Sequence, residues 1–190
     1  LLPAFPSAAA ASASEVVFLV DRSGSMGGTS IAEVRNALVL CLRGLTAGCR
    51  FDIVGFGSTF ESLFGGSAAY DEAHLREATA AVEAMKANLG GTEVLPALQQ
   101  VLERPGTAGL PRQVVLLTDG EVTNTDAVIA LARQHAGHAR IFTFGIGAGA
   151  SHHLVRGIAR ASGGAAEFIS PGERIEAKVM RQFKRVLSPA

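Results

Sequence analysis

The chain is predicted to form an α/β domain. Its core is an open, doubly wound, mostly parallel six-stranded sheet of Rossmann-like type, with one antiparallel edge strand and helices on both faces. Three observations predict this. Apolar runs rich in Val, Ile, Leu and Phe recur at Val16–Val20, Val114–Leu117 and Ile141–Phe144, with Phe51–Phe56 a fourth broken only by Asp52 and Gly55. Strands apolar on both faces belong to parallel sheets covered by helices on both sides. Stretches with apolar residues three and four apart lie between these runs, and polar residues gather directly after the strands, where open α/β sheets bind ligands.

The elements follow in order. After the first strand, Ile31, Val34, Leu38, Cys41 and Leu45 recur at helical spacing, with Ser30 and Glu33 of "SIAE" as a capping box. Phe51–Phe56 is the second strand. Thr59–Phe64 follows after a turn too short for a helical crossover, so it is expected to be the antiparallel edge. Leu75, Ala78, Val82 and Met85 mark a second helix. Leu95, Leu98 and Val101 mark a third, with Pro96 tolerable only in its first turn. Val128, Leu131 and Ala132 belong to a fourth helix, and Leu154, Val155 and Ile158 to a fifth that Ser151 caps. Ala165–Ile169 is a short last strand. "SPGE" then starts the final helix, with Ser170 as cap, Pro171 at its first position and Glu173 at its third. No internal repeat is visible.

At 190 residues the chain is one domain's length and long enough to bury about 70% of its unfolded surface without a disulfide or structural metal. Its formal net charge is zero, so bulk charge points neither to nucleic acid nor to an anionic membrane. No apolar stretch is long enough to span a bilayer. Cys41 and Cys49 do not make a disulfide framework, and Cys41 reads as a small core residue; free thiols fit a reducing compartment. Residues 1–14 read as a low-complexity Ala/Ser linker at the end of an excised fragment, residues 15–187 as the domain and 188–190 as a tail.

Three loops carry the polar residues. Asp21, Ser23 and Ser25 follow the first strand; Thr92 and Glu93 end a glycine turn; Asp119, Gly120 and Glu121 follow "QVVLLT". If the strands are parallel, all three face one rim. Two carboxylates and three hydroxyls are hard oxygen ligands suited to Mg²⁺ or Mn²⁺, and the absence of His and Cys in these loops argues against zinc. Ser23 and Ser25, two apart in an extended turn, project the same way, and Gly24 keeps side chains clear of the ion. Each residue also has a plainer role open to it: Asp21 as a turn cap, Ser25 or Ser30 as cap of the first helix, Thr92 as cap of the third.

"DRSGS", "GGTE" and "TDGE", in this order at these strand ends, resemble the three loops of the von Willebrand factor A domain family, with "DRSGS" matching its D-x-S-x-S metal-ion-dependent adhesion site. The likeness runs from Glu15 to about Leu187. "DRSGSM", "TDGEVT" and "GIARASGG" look most like the inter-α-trypsin-inhibitor heavy-chain-like group, in its intracellular branch that pairs a VIT domain with an A domain. The resemblance implies a Mg²⁺ site, with Mn²⁺ or Ca²⁺ as substitutes. Ser23, Ser25 and Thr92 would be direct ligands, and Asp21 and Asp119 would bind directly or through water. It implies no enzymatic activity but a protein partner whose acidic residue completes the metal's coordination. Gly24, Met26, Gly91, Glu93, Gly120 and Glu121 would form the partner-binding rim. It also implies an intracellular location; the flanking cysteines of many extracellular relatives are lacking. A purely structural A domain is the main alternative.

Two enzyme readings are weaker. A haloacid-dehalogenase-type phosphotransferase needs a second acid where Ser23 stands. "GIGAGA" at Gly145–Ala150 formally fits a dinucleotide-binding turn with Glu167 about 20 residues on, but Glu167 falls within the next strand. The histidines lie away from Ser23 and Ser25, and His152–His153 reads as a solvent-facing pair.

Overall fold

Alternate side chains of the first strand, β1 (Glu15–Asp21), feed two separate cores. Val16, Phe18 and Val20 pack on one side and Val17 and Leu19 on the other, all fully buried. The computed structural model describes residues 13–122 and 124–189. On the Phe18 side lie helices α1 (Thr29–Gly44), α2 (Glu72–Glu83) and α6 (Glu176–Val186). On the Leu19 side lie α3 (Val94–Glu103), α4 (Thr125–Gln134) and α5 (His152–Ser162). This is the two-sided coverage that the continuous apolar runs predict.

The other strands are β2 (Arg50–Phe56), β3 (Phe60–Ser62), β4 (Ala68–Ala69), β5 (Arg112–Thr118), β6 (Ala139–Ile146) and β7 (Ala166–Ile169). Their order is β3-β2-β1-β5-β6-β7, with β4 also on β2. The pairings β1–β2, β1–β5, β5–β6 and β6–β7 are parallel, in the register Asp21↔Phe56 and Val20↔Leu117 at the carboxyl ends. From β1 the chain builds outward to β2 on one side and to β5 on the other. The strand order therefore switches direction between β1 and β5, where α/β sheets open a crevice.

The predicted antiparallel edge differs in form. It consists of two short pieces on β2, so the sheet has seven strands, not six. Asp52, fully buried, lies beside this edge. Its carboxylate accepts from Phe64 N (3.1 Å) and from the Ser62 hydroxyl, and it pairs with Arg104 at 2.8 Å. Past β3 the edge chain still bonds β2, Leu63 N donating to Ile53 O at 2.9 Å.

Both predicted capping boxes fail. α1 begins at Thr29 after Gly28, whose φ of 75° is left-handed, so Ser30 and Glu33 lie inside the helix and no side chain caps it. Glu173 does accept from Ser170 N, but Gly172 is left-handed (φ 77°) and stops a helix there. Lys178 holds both Glu173 oxygens at 3.0 Å, and α6 starts only at Glu176. Met85 lies past the end of α2 yet remains buried. Ser151 caps α5 as expected, accepting from Leu154 N. Ser14 is buried and its carbonyl accepts from Arg50 N, which joins it to the sheet rather than to a linker; the rest of the predicted linker falls largely outside the described residues. Cys41 and Cys49 are buried and free, and burial pushes the Cys41 thiol well up. Among the described residues no helix is long and apolar enough to cross a membrane.

Candidate functional site

The switch point holds the polar loops. Asp21 ends β1 with its side chain fully buried. Ser23 N donates to its Oδ1 at 2.9 Å and the Thr118 hydroxyl to its Oδ2 at 2.7 Å. Thr118 in turn accepts from Gly120 N at 2.9 Å, which ties the loop after β5 to the end of β1. Asp119 is nearly buried, and its Oδ1 accepts from Glu121 N. Ser23 is buried and Ser25 exposed, yet their hydroxyl oxygens stand 2.9 Å apart, brought together by a 3₁₀ turn and not by the extended turn that the spacing predicted. Ser25 lies in a 3₁₀ turn, Gly24–Met26.

The loop bearing Thr92 is fastened to the same rim. Gly24 N donates to Gly90 O (2.8 Å), Leu89 N to Arg22 O (3.0 Å), and Glu93 N to Gly57 O (2.9 Å). Gly57 permits this contact, because a Cβ there would stand 2.3 Å from the Leu89 carbonyl oxygen. Thr92 does not cap α3; Glu93 takes that position and makes no side-chain cap bond.

Of the predicted rim, Gly24, Gly91, Glu93 and Glu121 are exposed. Met26 is not: it is fully buried in the core with α1 residues, because the 3₁₀ turn directs it inward. Gly120 is likewise buried and packed on Ser151. At Gly24 an added Cβ would meet only Gly90 O at 3.8 Å, so no protein neighbour requires a glycine there.

Three supporting residues escaped the sequence reading. Thr118 orients Asp21, and its signal was a hydroxyl directly preceding Asp119. Arg22 reaches Lys86 O (2.9 Å), Glu61 (2.6 Å) and Asn88 Oδ1 (2.7 Å), clamping the first loop to the segment that leads into the second. The Ser58 hydroxyl accepts from Gly91 N. Nothing local in the sequence signals the last two, since their partners lie 33 to 66 residues away.

The electrostatics are unbalanced. Burial pushes the Asp21 carboxyl above the ordinary aspartate value of 3.8. Hydrogen bonds from Ser23 and Thr118 oppose the rise, and the negative charge of Asp119 adds to it. Because the folded-state pKa is raised, ionised Asp21 costs the fold stability as pH climbs above 3.8. A cation beside the two carboxylates offsets both burial and repulsion. Among the described residues no group of three or more His, Cys, Asp and Glu could hold a metal, so any ion here relies on two acids plus hydroxyls. That donor set fits Mg²⁺ or Mn²⁺ and not zinc.

The chain matches the family model of the von Willebrand factor type A domain over residues 14–168. It is 43% identical to human von Willebrand factor A domain-containing protein 5B1, covering 92% of this chain and 14% of that protein. It is 45% identical to human von Willebrand factor A domain-containing protein 5A, covering 92% of this chain and 23% of that protein. The chain thus spans less than a quarter of the length of either relative. Manganese-loaded Plasmodium vivax TRAP protein superposes with a TM-score of 0.69 at 19% identity, over 93% of this chain and 74% of that one. Family match and sheet topology agree: this chain is a member of the von Willebrand factor type A domain family.

Proposed function

We propose that the domain is a divalent-metal-dependent protein-binding module. Domains of this family typically serve as adhesion or protein-interaction modules rather than enzymes. The finer reading rests on one observation above all: two acids, Asp21 and Asp119, meet at the switch point beside a converging pair of hydroxyls, and among the described residues no basic side chain pairs with either. Ser23, Ser25 and Thr92 would hold Mg²⁺ directly, with Asp21 and Asp119 binding directly or through water; Mn²⁺ or Ca²⁺ would substitute. Thr118 acts behind them by fixing Asp21. The partner is a protein whose Asp or Glu completes the coordination, met by the exposed residues Gly24, Gly91, Glu93 and Glu121. The manganese-loaded relative of the same fold supports the choice of ion. Two buried free thiols support a reducing, intracellular setting.

Thermal melting tests the site. Mg²⁺ or Mn²⁺ at roughly a hundredfold excess over its Kd should stabilise the wild type by about 2.7 kcal/mol. Asp21→Ala and Ser23→Ala should abolish the gain. Equal melting with EDTA and with Mn²⁺ would refute the site. If proteins captured on the wild type are retained after chelation and by Asp119→Ala, the metal only stiffens the loops.

A further inference from the structure

A second surface begins where the rim ends. Ser151 N donates to Asp119 O at 3.0 Å, and from the next residue α5 runs down the sheet beside α4. Gly157 lets the two helices close, since a Cβ there would lie 2.5 Å from Ile129 Cδ1. The groove between them encloses about 610 Å³, and every charged or titratable side chain lining it is basic: Arg133, His152, His153, Arg156 and Arg160.

Arg22, Arg76, Arg104, Arg112, Arg181 and Arg185 all hold carboxylates. Among the described residues Arg133, Arg156 and Arg160 hold none; neither do Arg35, Arg43, Arg50, Arg140 and Arg174, but Arg133, Arg156 and Arg160 are all exposed and share one groove that no acid lines. One acid, Asp126 at the start of α4, lies 3.8 Å from His153 Nε2 but does not line the groove. Two of the basic groups are pre-positioned. His152 stacks on Phe168 at 4.0 Å between centroids, and the Arg156 guanidinium sits 5.2 Å from the same ring.

We infer that the α4–α5 groove binds an acidic peptide segment of a protein partner, its carboxylates pairing with Arg133, Arg156 and Arg160. Guanidinium forks match carboxylates bidentately, and complementary charge sets specificity and on-rate at such surfaces. A nucleic acid fits less well: the chain as a whole is neutral, and Phe168 already carries His152 on its ring. The groove requires no cation, so it stands or falls apart from the metal reading.

The test is fluorescence anisotropy with a labelled oligoglutamate peptide in EDTA at low salt, against an oligoglutamine control. Oligoglutamate alone should bind, and added salt should weaken it. Arg156→Glu and Arg160→Glu together should weaken binding about tenfold, because two exposed charge pairs are lost and replaced by repulsion. Arg43→Glu, a reversal in the last turn of α1, should have little effect. Arg160→Glu alone, which leaves the contact of Arg156 with Phe168 intact, should still reduce binding if the double variant melts early. The proposal is overturned if oligoglutamate does not bind, if Arg43→Glu weakens it as much as Arg160→Glu, or if a single-stranded oligonucleotide of equal charge binds more tightly.

Discussion

β1 carries Glu15 at its start and Asp21 at its end, and both side chains are buried. Their surroundings differ. Glu15 meets Arg112 at 3.1 Å and accepts from the Ser67 hydroxyl and Thr107 N, while the neighbouring Asp52–Arg104 pair closes at 2.8 Å. Among the described residues Asp21 has the hydroxyls of Thr118 and Ser23, the Ser23 backbone N–H and a second acid beside it, and no basic partner. Buried charges are ordinarily paired, because taking an ion out of water costs several kcal/mol. One end of the sheet follows that rule in full. The other departs from it at the switch point, the place where α/β folds bind ligands, and the proposed metal site rests on that imbalance at Asp21.

The comparison can be broken most forcefully at the paired end. Arg112→Ala strands Glu15 without its counter-charge and should cost about 3–5 kcal/mol in urea unfolding. A loss under about 1 kcal/mol would mean that the pairing does not distinguish the two ends. At the unpaired end, Thr118→Val removes the donor to Asp21 Oδ2. It should weaken Mn²⁺ binding about 10- to 100-fold by calorimetric titration, the usual cost of losing a group that orients a ligand. An unchanged affinity would leave Thr118 a merely structural residue.

The smallest effect is expected at an intermediate case, Glu167 on β7. The Arg181 hydrogen bond, helped by Arg185, holds its carboxyl below the ordinary glutamate value of 4.5. A depressed carboxylate contributes stability above its unfolded pKa and loses it as pH falls through the folded value. Arg181 is half exposed, so solvent screening keeps the contribution under about 1 kcal/mol. The stability difference between wild type and Arg181→Gln should therefore shrink as pH drops from neutral to below 4.5. A difference that grows on acidification would contradict the assignment.

Much of this was legible in the residues. The runs Val16–Val20 and Val114–Leu117 became strands buried on both faces, and the helical spacings became helices, because periodicity follows directly from which sides of an element meet the core. The polar loops were legible as positions after strands. Boundaries and caps were less so: Gly28 and Gly172, both left-handed, moved the starts of α1 and α6 away from the capping residues. Met26 was misread as rim because a three-residue turn decides which way a side chain points. The antiparallel edge after Phe56 was legible from its short turn, but the second short piece, β4, was not.

By itself the sequence determined the element types, the two-sided sheet and the hard-oxygen character of its loops, because these depend on local period and side-chain chemistry. Only the tertiary structure decided which acids are paired and which are not. Arg112 and Glu15 lie 97 residues apart, and so do Thr118 and Asp21. Both pairs meet because β1 and β5 run side by side, one at each end of the shared register. No spacing along the chain records which end receives the arginine.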